Sequence, residues 1–579
     1  MKAIILTIIL FSFTLSEILP QKVGDAARLH INNINIPFNR SGIIADVNFL
    51  PGGTMGWFEE SHFLFSAGFM MSGFSNDTLW ANGVVTTIFV EDYIPGTVTD
   101  GPNDPRAQLY RVGSSDSAFG QSWQDWNDAV ALGADFYDGD GDGIYNPVDL
   151  NGNNQWDPNE DAPDLLGDET FWCVYNDGKP ASQRRWNLVN PVGIEIRQTM
   201  FAFNNFDPAE LGNMIFIRYR IKYVGLGGAN EPDKLDTVYF SSWADVDIGE
   251  NVFIDLTGCD TLLNAGFTYK DSSDYAYGDN PPSFFDNILA GPTEYIPGVT
   301  FIDNNGNGIY DEGIDVAIDT ANTMRGQRIG VMLFPGARNQ QLSSFVTFPN
   351  SFLPPYHEPD DPSEARNYMI GLLSNGELLD PCTFPYGEVR GGVDCSAVNP
   401  MYWFSGDPVT DFGWIDNLPW DMRQMINTGF FTLNKNEEKE VFVAYVVGRG
   451  TDHLNSITKA REISEKAKIL YASNFDTLTV VSVEDNFAEN IPDGFLLYQN
   501  YPNPFNPTST LSFVISHWSF VSLKVFDVLG NEVATLVNEE KPAGSYEVKF
   551  DASSLSSGIY FYKLQAGNFI SSKKMILIK

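Results

Sequence analysis

Short runs in which apolar and polar residues alternate recur along the chain. Between residues 216 and 223, Arg218, Arg220 and Lys222 alternate with apolar residues. Because successive side chains of a strand point to opposite faces, this run predicts a strand with one buried and one solvated face. The run 441–447 is apolar throughout, which is typical of a strand in the middle of a sheet.

One long segment, residues 454–472, follows a helical period instead. Its apolar stripe, with one residue every three or four positions, consists of Ile457, Ala460, Ile463, Ala467 and Leu470. Such a stripe predicts an amphipathic helix that packs on a sheet. Further alternating and aromatic runs lie in 31–90 and 193–246. The chain is therefore predicted to be mainly β, a multidomain β-sandwich protein.

Composition supports this fold class. Aromatic residues make up 14% of the 579 residues and charged residues only 19%, with 51 glycines and 33 prolines, a balance that favours strands joined by tight turns. The net charge of -40 would repel phosphates and anionic lipids, so nucleic acid is not an expected partner.

The N-terminus has the pattern of a signal peptide. Lys2 precedes an apolar run, residues 3–11, that is too short to span a bilayer. Small residues near Ser16 predict cleavage after that position, so residues 1–16 would be removed; a retained anchor is the alternative. No other stretch approaches about 18 uninterrupted apolar residues, so no membrane span is expected in the mature protein.

Four cysteines enter an oxidising compartment if the signal peptide acts. Cys382 and Cys395 are close in sequence and bracket a loop rich in proline and glycine, so we expect these two to be paired. The alternative leaves them unpaired and buried, together with Cys173 and Cys259.

The last part of the chain repeats short alternating runs at nearly even spacing. They cover 509–515, 521–527, 532–537, 545–551, 559–566 and 569–577. Glycines at the intervening turns supply positive φ. This spacing predicts a small antiparallel, immunoglobulin-like sandwich.

Several motifs of this region occur together in one order. They are Tyr501-Pro502-Asn503-Pro504-Phe505-Asn506-Pro507, Val525-Phe526-Asp527-Val528-Leu529-Gly530-Asn531, Ser557-Gly558-Ile559-Tyr560 and Lys573-Lys574-Met575. The region resembles the type A sorting domain of the type IX secretion system, used by Bacteroidota and their relatives. The resemblance implies recognition by the type IX secretion machinery and removal of the tail by a sortase-like peptidase. It also implies a location outside the cell, reached through the periplasm, either secreted or attached to surface lipopolysaccharide.

The chain is accordingly divided into four predicted parts. Residues 1–16 form the signal peptide, 17–474 a β-rich extracellular body, 475–490 a polar linker and 491–579 the sorting domain. Because few contacts cross such a linker, the sorting domain is expected to fold as an independent unit.

Two overlapping segments of the body have the spacing of calcium-binding loops, with oxygen donors at alternate positions. The first runs from 138 to 149 and the second from 149 to 160. The expected ligands are Asp138, Asp140, Asp142, Ile144 through its carbonyl, Asn146, Asp149, Asn151, Asn153, Gln155 through its carbonyl, Asp157 and Glu160. Asp149 is expected to end the first loop and to begin the second. Ca²⁺ is the predicted cofactor, since hard cations prefer carboxylate, amide and carbonyl oxygen.

A third, less regular loop begins at residue 303. Its expected ligands are Asp303, Asn305, Asn307, Ile309 through its carbonyl, and Asp311, with Glu312 or Asp315 as the closing acid. For all three loops the alternative is an acidic, glycine-rich turn that binds no ion. A looser acidic group, formed by Asp245, Asp247, Asp255 and Asp260, is read mainly as solvated carboxylates.

Signals for catalysis are weak. The five histidines, residues 30, 62, 357, 453 and 517, form no zinc-protease motif, and the sequence has neither a nucleophile elbow nor a phosphate-binding glycine loop. With 75 acidic residues, a paired-carboxylate mechanism is an alternative that only geometry could select. The body is therefore interpreted as a calcium-stabilised binding or structural module. The alternative is a secreted hydrolase acting on polysaccharide or protein.

Overall fold

The computed structural model describes most of the chain. The described residues are 22–47, 53–86, 90–187, 189–204, 210–350, 354–478, 496–497, 505, 507–515, 519–526, 531–541, 544–566 and 569–577. The predicted signal peptide and most of the predicted linker lie outside them. The chain divides into two compact units, Met1–Thr477 and Leu478–Lys579. Strands hold 43% of the residues and helices 12%, which confirms the mainly β prediction.

The first unit contains two large antiparallel sheets. The first sheet has, in spatial order, Lys22–Gly24, Leu109–Gly113, Glu169–Asn176, Ile194–Ala202, Met214–Tyr223, Glu438–Gly448, Ser283–Ala290, Ala265–Lys270 and Asp255–Asp260, and Ile94–Pro95 also pairs with Glu169–Asn176. The apolar run 441–447 lies inside Glu438–Gly448, between two partner strands, as predicted.

The second sheet faces the first. Its main path is Leu342–Pro349, Met422–Thr428, Lys234–Asp245, Ser66–Ser75, Ile44–Ala45, Ile34–Asn39, Gly56–Phe58 and Ser61–Leu64. Ala26–Leu29, Phe431–Asn434, Thr78–Val85 and Val90–Glu91 extend it at the sides. Side chains from both sheets form one hydrophobic core, in which Phe69 of the second sheet meets Tyr219 of the first at 5.3 Å between ring centres. The body is thus a sandwich.

The remaining elements are short pairs and helices. The paired strands are Phe136–Tyr137 with Ala162–Pro163, Thr293–Glu294 with Arg338–Asn339, Phe301–Ile302 with Val316–Ala317, Thr320–Met324 with Val331–Pro335, and Gly387–Arg390 with Gly413–Asp416. The α-helices are Gln121–Ala131, Gly326–Ile329, Pro362–Met369 and His453–Ala472, and the 3₁₀ turns are Ala181–Gln183, Leu211–Asn213, Val252–Ile254 and Cys395–Ala397.

The helix His453–Ala472 confirms the helix predicted for 454–472. Asp452 caps it by accepting hydrogen bonds from the N–H groups of Leu454 and Asn455, and every residue of its predicted apolar stripe is buried. It packs on the outer face of the first sheet, where Tyr471 meets Phe442 at 5.1 Å between ring centres.

The prediction of a solvated face for 216–223 is wrong. Arg218 is 0% exposed and Arg220 is also buried. Arg218 Nη2 lies 2.5 Å from Asp164 Oδ2, and Arg220 Nη1 lies 2.8 Å from Asp135 Oδ1. Charged side chains alternate with apolar ones here because a second layer of ionic groups, contributed by a distant segment, covers this face.

The cysteine prediction is confirmed. Cys382 and Cys395 form a disulfide with a Cα–Cα distance of 5.1 Å, whereas Cys173 and Cys259 are buried free thiols.

The second unit is a small antiparallel sandwich, as predicted. One sheet has Leu496–Leu497, Thr508–Ile515 and Gly544–Asp551, and the other has Glu532–Lys541, Ser519–Phe526, Gly558–Ala566 and Phe569–Leu577. Side chains from both sheets, including Phe513, Val525 and Tyr562, form its separate core.

One carboxyl group lies in the middle of the body's core. Asp286, 0% exposed, joins the two sheets by accepting a hydrogen bond of 2.6 Å from Ser242. Burial raises the pKa of Asp286 to about 7, although the Ser242 hydrogen bond opposes the rise. The folded protein therefore favours the protonated form of this carboxyl.

We predict that Asp286→Asn stabilises the protein relative to wild type more at pH 8 than at pH 5. The folded pKa lies above the unfolded value of about 3.9, so wild type loses stability as pH rises from about 4 to about 7, by a few kcal/mol at most. Asparagine does not titrate. Denaturant unfolding at both pH values measures the difference, with the exposed Asp279→Asn as control. Equal effects of Asp286→Asn at the two pH values would contradict the assignment.

Candidate metal centre

The acidic loops are built as extended hairpins. The first two loops, residues 138–149 and 149–160, lie between Phe136–Tyr137 and Ala162–Pro163, which pair with each other. The third loop, residues 303–315, lies between Phe301–Ile302 and Val316–Ala317, which pair in the same way. Each acidic segment is thus held at its base by a two-residue antiparallel ladder.

The leading aspartate of each loop organises the turn that follows it. Asp138 accepts hydrogen bonds from the backbone N–H groups of Gly141 and Gly143, at 2.8 and 2.9 Å. Asp149 and Asp303 accept the corresponding bonds, from the third and fifth residues after them. The three loops therefore share one local backbone arrangement, which glycine or asparagine with positive φ makes possible at the sixth position.

The closing acid of the first loop was missed by sequence reasoning. Asp161, which is buried, accepts hydrogen bonds from the N–H groups of Gly139 and Asn146, at 3.0 and 2.7 Å. Asp138, Asp140 and Asp161 each place a carboxylate oxygen within 4.8 Å of the others. The carboxylate of Asp149 accepts instead from backbone groups of its own loop.

The third loop is closed in the same way, but no second loop lies in front of its closing acid. Asp315 accepts from the N–H groups of Asn304 and Asp311, both at 2.8 Å. These are the second and ninth positions, the same two that Asp161 bridges in the first loop. Of the two candidates for the closing acid, Asp315 is buried and Glu312 is exposed, so the geometry favours Asp315.

The second loop closes through Glu160, the residue expected at its twelfth position. Glu160 is buried and accepts from the N–H groups of Leu150 and Asp157, at 2.7 and 2.9 Å. The amide groups of Asn151 and Asn153 both donate to Asp157 Oδ2, at 2.6 and 2.9 Å.

Asn305 and Asn307 donate to Asp311 Oδ2 in the same manner in the third loop, both at 2.7 Å. In both loops the side chains at positions three, five and nine therefore converge on one point. Rotating an amide by about 180° exchanges its nitrogen and oxygen and would bring oxygen to that point, at the cost of the hydrogen bond that each amide oxygen now accepts from a backbone N–H.

Charge is concentrated in the first loop. The N–H of Asp142 donates to Asp140 and lowers the pKa of that carboxyl, but desolvation and the negative charges of Asp142, Asp161 and Asp138 together raise it above its ordinary value. Asp142 in turn accepts from the N–H of Ile144. The carboxylates repel one another in the absence of a cation.

An aromatic residue at the eighth position anchors each loop, a second feature that sequence reasoning missed. Tyr145 donates to the Trp123 carbonyl at 2.9 Å, Trp156 donates to the Glu160 carbonyl at 2.9 Å, and Tyr310 stacks on Tyr295 at 5.9 Å. The preceding residues, Ile144, Gln155 and Ile309, are exposed. Repetition of Gly-Ile-Tyr in the first and third loops was the signal available in the sequence.

The looser acidic group does not form one site. Asp255 pairs with Lys270 at 3.0 Å and Asp260 with Arg461 at 2.9 Å. Asp245, paired with Arg423 at 2.9 Å, lies beside Asp247 and Asp421. Burial, followed by the charges of Asp245 and Asp421, raises the pKa of Asp247 to about 9. The expectation of solvated carboxylates does not hold for Asp245 or Asp255, which are buried.

Comparison with protein families settles the C-terminal unit. Residues 499–579 match the family described as a secretion system C-terminal sorting domain. They form a type IX sorting domain. The sorting domain directs export by the type IX system to the cell surface or the extracellular space, and the secretion machinery recognises it.

Other comparisons add little about the body. None of the curated proteins matches the chain. A solved structure of a polysaccharide lyase is similar at 7% identity, over 67% of this chain and 34% of the lyase, with a TM-score of 0.18. The chain spans about a third of the length of that lyase, and so distant a likeness carries no argument about activity. Within the described part of the chain, none of the helices combines the length and hydropathy needed to cross a bilayer.

We predict that removing residues 491–579 abolishes export and leaves a folded body in the periplasm, because the body has its own core. Cell fractionation followed by limited proteolysis measures both outcomes. As the reciprocal control, residues 475–579 placed behind a signal peptide and a fluorescent protein should carry that protein out of a type IX-competent cell. Efficient secretion of the shortened chain would contradict the prediction.

Proposed function

We propose that the protein is an exported, calcium-stabilised binding or structural module. In this proposal a signal peptide, residues 1–16, directs the chain to the periplasm. The sorting domain then takes it across the outer membrane and is removed by a sortase-like peptidase. The body is released or attached to surface lipopolysaccharide.

The shared frame of the three acidic loops carries the calcium part of the proposal. In each loop a leading aspartate fixes the turn, and a buried acid, Asp161, Glu160 or Asp315, bridges the second and ninth backbone N–H groups. Acidic turns that only face solvent would not be expected to share this closure in all three loops.

Oxygen-only donors determine which ion fits. Ca²⁺ takes six to eight oxygen ligands at about 2.3–2.6 Å, whereas zinc sites usually include nitrogen or sulfur. The three loops offer carboxylate, amide and backbone carbonyl oxygen, and the first adds a crowd of carboxylates whose repulsion a divalent cation would relieve. A hard cation of flexible geometry is therefore the best match.

Calcium would stabilise the packing of the first two loops against their neighbours. Trp156 of the second loop lies under the guanidinium of Arg328, 4.6 Å from the ring centre, and Trp123 of the helix Gln121–Ala131 lies 5.8 Å from the same guanidinium. Tyr145 of the first loop donates to the Trp123 carbonyl. Loosening of the loops would therefore disturb the packing between the helix and the hairpin.

A groove in the body is the candidate place for a bound ligand. It encloses about 520 Å³ and is lined by residues that include Asp271, Arg390, Asp411, Asp416 and His453. Asp411 is paired with Arg390 at 2.8 Å. Asp416 is buried and accepts hydrogen bonds from the backbone and the side chain of Thr257, both at 2.9 Å. Asp411 and Asp416 are thus engaged by protein groups, as suits a binding groove. Asp271 also lines the groove and burial raises the pKa of Asp416 to about 7, so a paired-carboxylate hydrolase is the second candidate.

We predict that each loop binds one calcium ion and that Asp161→Asn weakens one site. Asp149→Asn should likewise weaken only the second loop, because Asp161 closes the first. Calorimetric calcium titration of the full chain measures the number and affinity of the sites, with the exposed Asp77→Asn as control.

Two outcomes would contradict parts of this proposal. Loss of two sites in Asp149→Asn would show that Asp149 serves both loops. If wild-type protein takes up no calcium and its melting temperature is the same in chelator, the calcium proposal fails.

A further inference from the structure

A second kind of metal donor set lies at the start of the helix Pro362–Met369, apart from the acidic loops. His357, Asp360 and Glu364 follow one another at spacings of three and four residues. One ring nitrogen of His357 and one carboxylate oxygen from each acid all lie within 4.8 Å of one another. Unlike the loops, this group includes an imidazole.

The distances within the group are too long for direct hydrogen bonds. His357 Nδ1 lies 3.8 Å from Asp360 Oδ2, and His357 Nε2 lies 3.6 Å from Glu364 Oε1, whereas N–H···O bonds span about 2.7–3.2 Å. Two ligands bound tetrahedrally to one ion at about 2.0–2.2 Å are separated by roughly 3.3–3.6 Å. Only the 3.8 Å separation involves Nδ1, the nitrogen that faces Asp360; it lies just above the tetrahedral value, so a small movement of the exposed Asp360 side chain would let both groups share an ion.

Ser374 contacts the ring nitrogen of His357 that faces away from Asp360. Ser374 Oγ lies 3.1 Å from His357 Nε2 and donates its own hydrogen to the Pro355 carbonyl, at 3.1 Å. The single hydroxyl hydrogen has two acceptors within reach; when it points to the Pro355 carbonyl, Ser374 accepts from Nε2–H. In the neutral ring Nδ1 then carries a lone pair, and that lone pair faces the carboxylate of Asp360. Such an arrangement is repulsive unless a proton or a metal ion lies between the two groups.

The histidine is held firmly in place. His357 is 6% exposed. Tyr368, in the helix that follows, donates a hydrogen bond to the backbone carbonyl of His357 at 2.6 Å. Tyr368 also stacks on Phe348 of the second sheet, at 4.8 Å between ring centres. Metal-binding histidines are commonly fixed in this way, with the second ring nitrogen donating to a neighbouring oxygen.

The two acids are arranged so that one oxygen of each faces the imidazole. Glu364 Oε2 accepts from the backbone N–H of Asp360, at 2.7 Å, and Asp360 Oδ1 accepts from Arg185, at 3.3 Å. Oε1 of Glu364 and Oδ2 of Asp360 are the oxygens near the ring. Asp360 is 72% exposed on its side chain, so an ion and its remaining water ligands have access from solvent.

We propose that His357, Asp360 and Glu364 bind a first-row transition metal ion of the zinc type, with His357 coordinating through Nδ1. A turn of the Glu364 carboxylate brings Oε1 to the ion, and water completes the coordination. The mixed nitrogen and oxygen donors distinguish this site from the oxygen-only loops, so calcium and zinc bind to different parts of the body.

The test uses the full chain, stripped of transition metals and held in saturating calcium so that the acidic loops are occupied. Calorimetric titration with Zn²⁺ should show one site. His357→Asn should weaken it by at least about tenfold, and so should Glu364→Gln. The glutamine retains an oxygen for the Asp360 N–H, so it removes the charge without removing that hydrogen bond. His30→Asn, at an exposed histidine, is the matched control. Replacement of zinc by Co²⁺ should give visible absorption bands that the His357 variant lacks.

The competing explanation is an imidazole that carries a proton on Nδ1 and directs it at Asp360 without a metal. It predicts that Nδ1 is protonated and that the nitrogen resonances of the ring do not change when Zn²⁺ is added. That result, or a zinc titration that is the same in wild type and in both variants, would overturn the proposal. Circular dichroism of each variant establishes that a lost site is not a lost fold.

Discussion

The ion layer on the outer face of the first sheet is the constraint on which the arrangement of the body depends. Asp135 and Asp164 flank the two strands at the base of the first acidic hairpin, and both reach the arginines of Met214–Tyr223. Burying charges without partners would cost several kcal/mol. The sheet therefore fixes the position of the hairpin, and through it the position of the first two loops.

The two aspartates of this ion layer, Asp135 and Asp164, differ in how strongly the arginines stabilise their charge. Burial raises the pKa of Asp164 even beside Arg218. Burial also acts to raise that of Asp135, but Arg220, Arg218 and Arg325 together lower it below its ordinary value. Asp135 is thus the more firmly ionised of the two. The ion pairs form in one alignment of the acidic hairpin on the first sheet. A shift of the hairpin along the sheet would leave a guanidinium group buried without a carboxylate.

Local signals in the sequence were reliable, whereas those that needed a distant partner were not. The helix His453–Ala472 could be predicted because its cap and its apolar stripe are neighbours in sequence. The alternation at 216–223 gave the strand, but it could not show that carboxylates more than fifty residues earlier cover Arg218. Asp161 was missed for a similar reason: the second loop separates it from Asp138, so the usual twelve-residue spacing pointed to Asp149. The sorting domain was recognisable from the order of its motifs, whereas the body has no comparable set.

The nesting of one acidic loop inside another affects how the segment folds. The inner loop closes over twelve residues. Its closure shortens the flexible chain between Asp138 and Asp161, so less conformational entropy is lost when the outer loop closes. Each doubling of a flexible loop costs only about 0.6 kcal/mol of closure entropy. An additional loop unit, eleven residues in this chain, can therefore be inserted in front of a closing acid at small thermodynamic cost. Hairpins of this design are accordingly able to lengthen by whole units during evolution while the ladder at their base remains unchanged.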